Sequence, residues 1–173
     1  MEPWTPADLQ RYIDAHAIPA QIVALPTPTL TVPTAAEALG VPVDTIVKTV
    51  IFFVEETPYA VIANGVRRVD PRKLAAQFGV NRKRIKLADG EAVLALTGYP
   101  PGAVPPFGHR QPMPYLMHPG VCDQSVVYAG GGGKAELLRI QSADLRRLTG
   151  ATLVDVLSED IPAQDADTVR KSP

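Results

Sequence analysis

Cysteine is almost missing from this chain: Cys122 is the only one, which excludes an internal disulfide and a thiolate metal centre and fits a reducing compartment. Long hydrophobic runs are missing too. The best, Ile46 to Val54, is interrupted by Lys48 and falls short of the roughly 18 apolar residues a membrane helix needs. The first thirty residues carry Asp8, Arg11 and Asp14 among the apolar ones, so no basic stretch precedes an unbroken apolar segment of the secretory kind. A soluble, cytoplasmic protein without membrane contact is therefore expected. Metal-ligand spacing is absent, because His16, His109 and His118 are scattered, and no metal or cofactor is expected. There is no G-x-S-x-G elbow and no motif around Cys122, which removes covalent hydrolysis by serine or cysteine.

What is present is enough chain for one good core. At 173 residues the length is close to that of a single domain, and a globule of about 150 residues buries about 70% of its unfolded surface. One domain over residues 1–173 is expected. The net charge of −1 hides an asymmetry. Between Val66 and Lys86 stand Arg67, Arg68, Arg72, Lys73, Arg82, Lys83, Arg84 and Lys86 against Asp70 alone, a local charge of +7, so the remainder carries −8. Such a face either attracts a polyanion or is a solvated surface.

The local signals alternate between helix and strand. Thr5-Pro6-Ala7-Asp8 reads as a capping box opening a helix to about His16, and Thr34-Ala35-Ala36-Glu37 as a second box before Gly40. Gln21 to Leu25 is a short apolar strand. Val43 to Glu55 and Tyr59 to Asn64 are rich in β-branched and aromatic residues and form a hairpin around Glu56-Thr57-Pro58. Asp70-Pro71 opens a helix that Gly79 closes, and Asp89 caps another ending at Gly98. Arg84 to Leu87, Met113 to Met117, Ser125 to Ala129 and Glu136 to Gln141 read as strands, and Ser142 caps a helix ending before Gly150. The last dozen residues are expected to fray. The sum is an α+β fold with a mixed, mainly antiparallel sheet.

Three features carry candidate chemistry. Lys48 lies in an otherwise apolar strand, on the same face as Ile46, Val50 and Phe52. It either opens into a cavity as an anchor or catalytic group, or guards an edge strand against aggregation. The segment Gly98 to His109, GYPPGAVPPFGH, has three glycines and four prolines in twelve residues. That composition makes a rigid loop able to present the backbone N–H groups of Gly102 to Val104 to a ligand, or a stiff connector. The run Gly130 to Gly133 before Lys134 lacks the spacing of a phosphate-binding loop. It reads as a flexible hairpin turn, with Gly130 and Gly131 lining a substrate site as the alternative.

In this order, the strand VDTIVKTVIFF, the turn at Asn64-Gly65, the helix DPRKLAAQFGV and the loop GYPPGAVPPFGH resemble the YbaK/EbsC family and the insertion domain of bacterial prolyl-tRNA synthetase. The resemblance runs from about Leu25 to Thr152. It implies a barrel-like sheet surrounded by helices, and metal-independent hydrolysis of the ester between a mischarged amino acid and the tRNA 3′ end. By this resemblance Lys48 is the catalytic-site lysine, and Gly102 and Pro106 are the signature positions of a G-x-x-x-P loop containing Ala103 and Val104. The loop would place the ester carbonyl and terminal adenosine while a ribose hydroxyl of the substrate assists water. Thr49, Asn64, Gly130 and Gly131 are the expected substrate contacts, and the eight basic residues the expected contacts to the acceptor end. A transient contact with an aminoacyl-tRNA synthetase is a further expectation. The chain departs from the family where a basic residue within the glycine turn and an acidic residue ahead of it are usual; here stand Gly130 to Gly133 and Met117-His118-Pro119. These departures bear on which amino acid is removed. Two other classes remain open at this point: a module that binds aminoacyl-tRNA or nucleotides without turnover, and an enzyme using Lys48 as a Schiff-base nucleophile.

Overall fold

The computed structural model describes residues 1–29 and 31–160. The final dozen residues, expected to fray, lie outside them. Helix α1 (Pro6–Ala15) starts from the Thr5/Asp8 capping box read in the sequence. Strand β1 (Ala20–Ala24) leads to α2 (Val32–Leu39). This second helix begins earlier than expected: Thr31 is the cap, and Thr34 occupies the third helical position of a reciprocal box with it. A single turn at Val43–Thr45 replaces the expected start of the central strand. Strands β2 (Val47–Val54) and β3 (Thr57–Asn64) then pair antiparallel, Lys48 opposite Ala63, with only Glu55 and Glu56 between them. Glu55 takes a positive φ of 58°, which closes the hairpin in two residues and leaves Pro58 inside β3. That proline precedes Ala60, where pairing to the next strand begins, so its missing N–H costs no bond on that side.

Asp70 caps α3 (Pro71–Phe78) by accepting from the Arg72 amide. A turn at Arg82–Arg84 enters β4 (Ile85–Leu87), and Asp89 caps α4 (Gly90–Thr97). Then follow β5 (Tyr115–Met117), β6 (Val126–Gly130), β7 (Glu136–Gln141), α5 (Ser142–Thr149) and β8 (Thr152–Leu153), the last not anticipated. Ser142 is not the cap of α5. Its hydroxyl donates to the Gln124 carbonyl, and Gln141 takes the cap position. Helices α2, α3, α4 and α5 end at Gly40, Gly79, Gly98 and Gly150, each left-handed, as the glycine stops foretold.

The strands form two sheets. One has order β1-β7-β6 and is wholly antiparallel; the other has order β4-β2-β3-β5-β8, with β3-β5 and β5-β8 parallel. They are not closed into one barrel, and a bridge between Ile46 and Tyr128 joins them. Strand β2 is covered on both faces, which explains its continuous apolar run. Val47 and Ile51 enter a core with Leu9 and Ile13 of α1. Phe52 and Val54 enter a second core beneath Leu74 and Ala75 of α3. Lys48 therefore emerges on the α3 side, at the end of β2 that β4 leaves uncovered, because β4 pairs only with Phe52 to Val54.

Candidate functional site

At that uncovered end lies a cavity of about 220 Å³. Its walls are Ile46 to Thr49 of β2, Gly102 and Val104 of the glycine-proline loop, Gly130 at the end of β6, Leu137 of β7, and Thr29, Thr31, Val32 and Ala35 around α2. Three segments singled out in the sequence, separated by some eighty residues, thus share one space. The segment before α2 is drawn in by two bonds, Leu25 N to Ala135 O (2.7 Å) and Thr29 N to Lys134 O (3.1 Å).

Lys48 is half-buried, and its ammonium donates to the carbonyls of Arg67 (2.5 Å) and Gly65 (3.4 Å). The Thr49 hydroxyl is buried and has no hydrogen-bond partner among the described residues. In the loop, the Ala103 amide closes a turn onto Pro100 O (3.1 Å) and its carbonyl accepts from Gly132 (2.9 Å). Among the described residues the amides of Gly102 and Val104 have no acceptor. Behind the loop, His109 Nε2 meets Pro105 O at 2.7 Å and its Nδ1 meets the Tyr115 hydroxyl at 3.3 Å. Pro105 O can only accept, so Nε2 carries the proton in that bond, and burial holds the His109 pKa below its ordinary value.

The glycine run makes the hairpin connection expected of it, between the antiparallel strands β6 and β7, but its glycines are tightly packed. A Cβ at Gly130 would stand 2.2 Å from Val104 O, and one at Gly131 would stand 2.6 Å from Glu136 backbone atoms. The loop rests on Gly130, where only hydrogen fits, and accepts from the Gly132 amide, whereas Gly131 is packed against its own hairpin partner Glu136.

Other expected site residues are elsewhere. Asn64 does not line the cavity: its amide donates to Asp44 O (2.9 Å) and Gly120 O (3.3 Å), tying two turns together. Pro106 is buried behind the loop, and Gly131 lies beyond the cavity wall. The eight basic residues do not form one patch. Arg67, Arg68, Arg72 and Lys73 flank the Lys48 end, whereas Lys83, Arg84 and Lys86 line a concavity with Glu55 and Glu56 at the hairpin end, and Arg82 stands beside them with its guanidinium on the Ile85 carbonyl. Val54 is six residues along the strand from Lys48, about 20 Å at ~3.3 Å per residue. Sequence reasoning missed Thr29, Val32, Ala35 and Leu137, whose spacing carries no chemical signal. Among the described residues no group of three or more His, Cys, Asp or Glu side chains is placed to hold a metal ion. No helix among them is long and apolar enough to cross a membrane.

The model of the aminoacyl-tRNA editing domain matches residues 27–148. The chain belongs to that family. It is thus a YbaK-like aminoacyl-tRNA editing domain. It is 36% identical over 90 residues to a proline–tRNA ligase of Nitratidesulfovibrio vulgaris, a match spanning 51% of this chain but only 15% of the ligase. A crystal structure described as a candidate trans-editing enzyme for prolyl-tRNA synthetase superposes with a TM-score of 0.81 at 31% identity, covering 88% of this chain and 96% of that one. A scaffold from computational epitope grafting superposes with a TM-score of 0.82 at 30% identity, covering 90% and 97%. The α+β architecture of the editing domain is shared with both.

Proposed function

We propose that the chain hydrolyses the ester joining a mischarged amino acid to the tRNA 3′ end, without a metal. The observation that carries this reading is the meeting of the Lys48 strand, the Gly102–Val104 loop and Gly130 around one cavity. Water adds its oxygen to the ester carbonyl and gives a proton to the neighbouring ribose hydroxyl, which passes its own to the leaving ribose oxygen as the acyl C–O bond breaks, giving the free amino acid and an intact tRNA. The Val104 amide, lacking an acceptor among the described residues, is a donor for the oxyanion, and such donors are worth about 10²–10³ in rate. Lys48 supplies fixed positive charge beside the ester, a role that suits an ammonium already donating to two carbonyls better than that of a general base. The Thr49 hydroxyl is a further polar group offered to the substrate.

The acceptor stem docks on Arg82, Lys83, Arg84 and Lys86, which are exposed and form no ion pair among the described residues. The structural relative described as a trans-editing enzyme for prolyl-tRNA synthetase supports a tRNA charged by that synthetase as the substrate, with the protein acting in transient contact with it. The test is release of amino acid from tRNAs charged with Ala, Ser, Thr, Cys, Pro or 2-aminobutyrate. Wild type should release at least one, and Lys48→Ala should lose about 10²-fold or more in rate with its fold intact. Saturable binding with no release from any of them would leave a binding module instead.

A further inference from the structure

The residues that hold Lys48 are themselves held by a segment outside the family-matched span of 27–148. Past α5 the chain forms β8 and then runs back alongside the segment joining β3 to α3. The Asp70 amide donates to Val156 O (2.7 Å), the Ser158 amide to Arg68 O (2.7 Å), and Leu157 bridges Val69. Val154, Val156 and Leu157 are buried in the core beneath α3. The side chains add charge to this seam. Arg67 donates to Ser158 O (3.4 Å) and pairs with Glu159 (3.8 Å); Lys73 pairs with Asp155 (3.1 Å) and Glu159 (2.8 Å). Arg67 thus faces two ways: its carbonyl receives the Lys48 ammonium, and its guanidinium is fastened to the returning segment.

We infer that residues 154–159 form a strap that positions Lys48 in the editing site, acting through the main chain of Arg67. The inference rests on the hydrolytic reading of the Lys48 cavity. Chemistry of this kind is sensitive to placement, since about 1 Å of displacement by a remote change can cost about 10²-fold in rate. Arg67 is then a positioning residue, and Glu159 acts on Lys48 only through it. The same guanidinium offered to a tRNA phosphate would make a different prediction, because phosphate contacts govern affinity and its salt dependence.

The experiment compares full-length wild type, Arg67→Ala, Arg67→Lys and Glu159→Gln. It measures kcat and KM for deacylation, the salt dependence of tRNA binding, and the rate of Lys48 acetylation relative to exposed Lys86 by mass spectrometry. For Arg67→Ala, kcat should fall about tenfold with KM and the salt slope unchanged, and Lys48 should acetylate faster as its acceptor loosens. Arg67→Lys, which keeps the charge facing Glu159, should recover part of kcat. Glu159→Gln should shift kcat and acetylation in the same direction by a smaller factor. Because the Glu159 side chain is 79% exposed, that variant keeps the question answerable if Arg67→Ala fails to fold. A raised KM and a salt slope flattened by about one unit for Arg67→Ala, with kcat and acetylation unmoved, would overturn the strap and make Arg67 a phosphate contact; so would tighter tRNA binding by Glu159→Gln alone. If wild type releases no amino acid from any tRNA, the hydrolytic reading fails, and the acetylation rates still decide whether the strap holds Lys48.

Discussion

The two halves of the basic run, Arg67 to Lys73 and Arg82 to Lys86, look alike in the sequence and behave differently in the fold. In the first half, Arg67, Arg72 and Lys73 have carboxylate partners: Glu159, Asp70, and Asp155 with Glu159. The Arg72 guanidinium holds the Asp70 carboxyl below the ordinary range, and the Lys73 ammonium does the same to Asp155 and Glu159. In the second half no ion pair occurs among the described residues, and the Arg82 guanidinium turns back to the Ile85 carbonyl (3.1 Å). The lesson concerns what a charge count means. Cations beside a returning acidic segment organise the interior of the protein, whereas cations at a hairpin tip are available to a polyanion.

The largest expected effect separates the halves by burial. Leu157→Ala, at a site 1% exposed beneath the first half, should lower unfolding stability by about 3 kcal/mol in a denaturant titration. Leu87→Ala, 64% exposed beside the second half, should stay within about 0.5 kcal/mol. Equal losses would dissolve the distinction. Next comes RNA affinity: replacing Arg82, Lys83 and Arg84 together by Ala should flatten the log-log salt dependence of tRNA binding by close to three units, at about 0.9 per phosphate. Arg72→Ala with Lys73→Ala should change it by less than one unit, and the reverse ranking would move the docking site to the Lys48 end.

A smaller effect is expected at the caps. Asp70→Ala removes the acceptor for the Arg72 amide at the start of α3 and should cost about 1 kcal/mol in thermal unfolding. Asn81→Ala, which caps only the turn at Arg82–Arg84, should cost less. The smallest concerns pH and bears on the carboxylate Asp155 that serves the first half. His118 Nε2 lies 3.3 Å from Asp155 and its Nδ1 accepts from Gly120 (3.0 Å), while burial depresses its pKa. The unfolded ring therefore binds protons more readily, so this contribution to stability is present above the unfolded value near 6.5 and is lost as pH falls below it. The buried ring of His109 acts in the same direction. Tm should drop between about pH 7.5 and about pH 5.5, and His118→Gln should reduce the drop; an undiminished drop would assign it to His109 or to groups elsewhere.

Much of the secondary structure was legible before any fold was known. The Thr5/Asp8 box, the Asp70-Pro71 start, the Asp89 cap and the four glycine stops stand where the sequence put them. The misplacements were local competitions. Thr31 outcompeted Thr34 for the cap of α2, and Ser142 spent its hydroxyl on Gln124. At the site, Lys48 and the glycine-proline loop were legible as unusual chemistry in an apolar strand and an unusual density of Gly and Pro. The roles of Asn64 and of the glycine run were not. An amide that ties two turns and a glycine that receives a distant loop are defined by neighbours far along the chain.

What the sequence determined by itself was therefore everything set within a few residues: where helices start and stop, which runs are strands, and which residue types could do chemistry. Backbone sterics and capping act over that range. What only the tertiary structure decided was pairing across distance. The parallel β3-β5-β8 arrangement, the cavity between Lys48, Val104 and Gly130, and the bond from Arg67 to a carbonyl 91 positions later belong to it. Which of eight similar cations meets a carboxylate depends on where the chain returns after some eighty residues, and local preference holds no information about that. Closing such long loops costs entropy that only burial in a shared core repays.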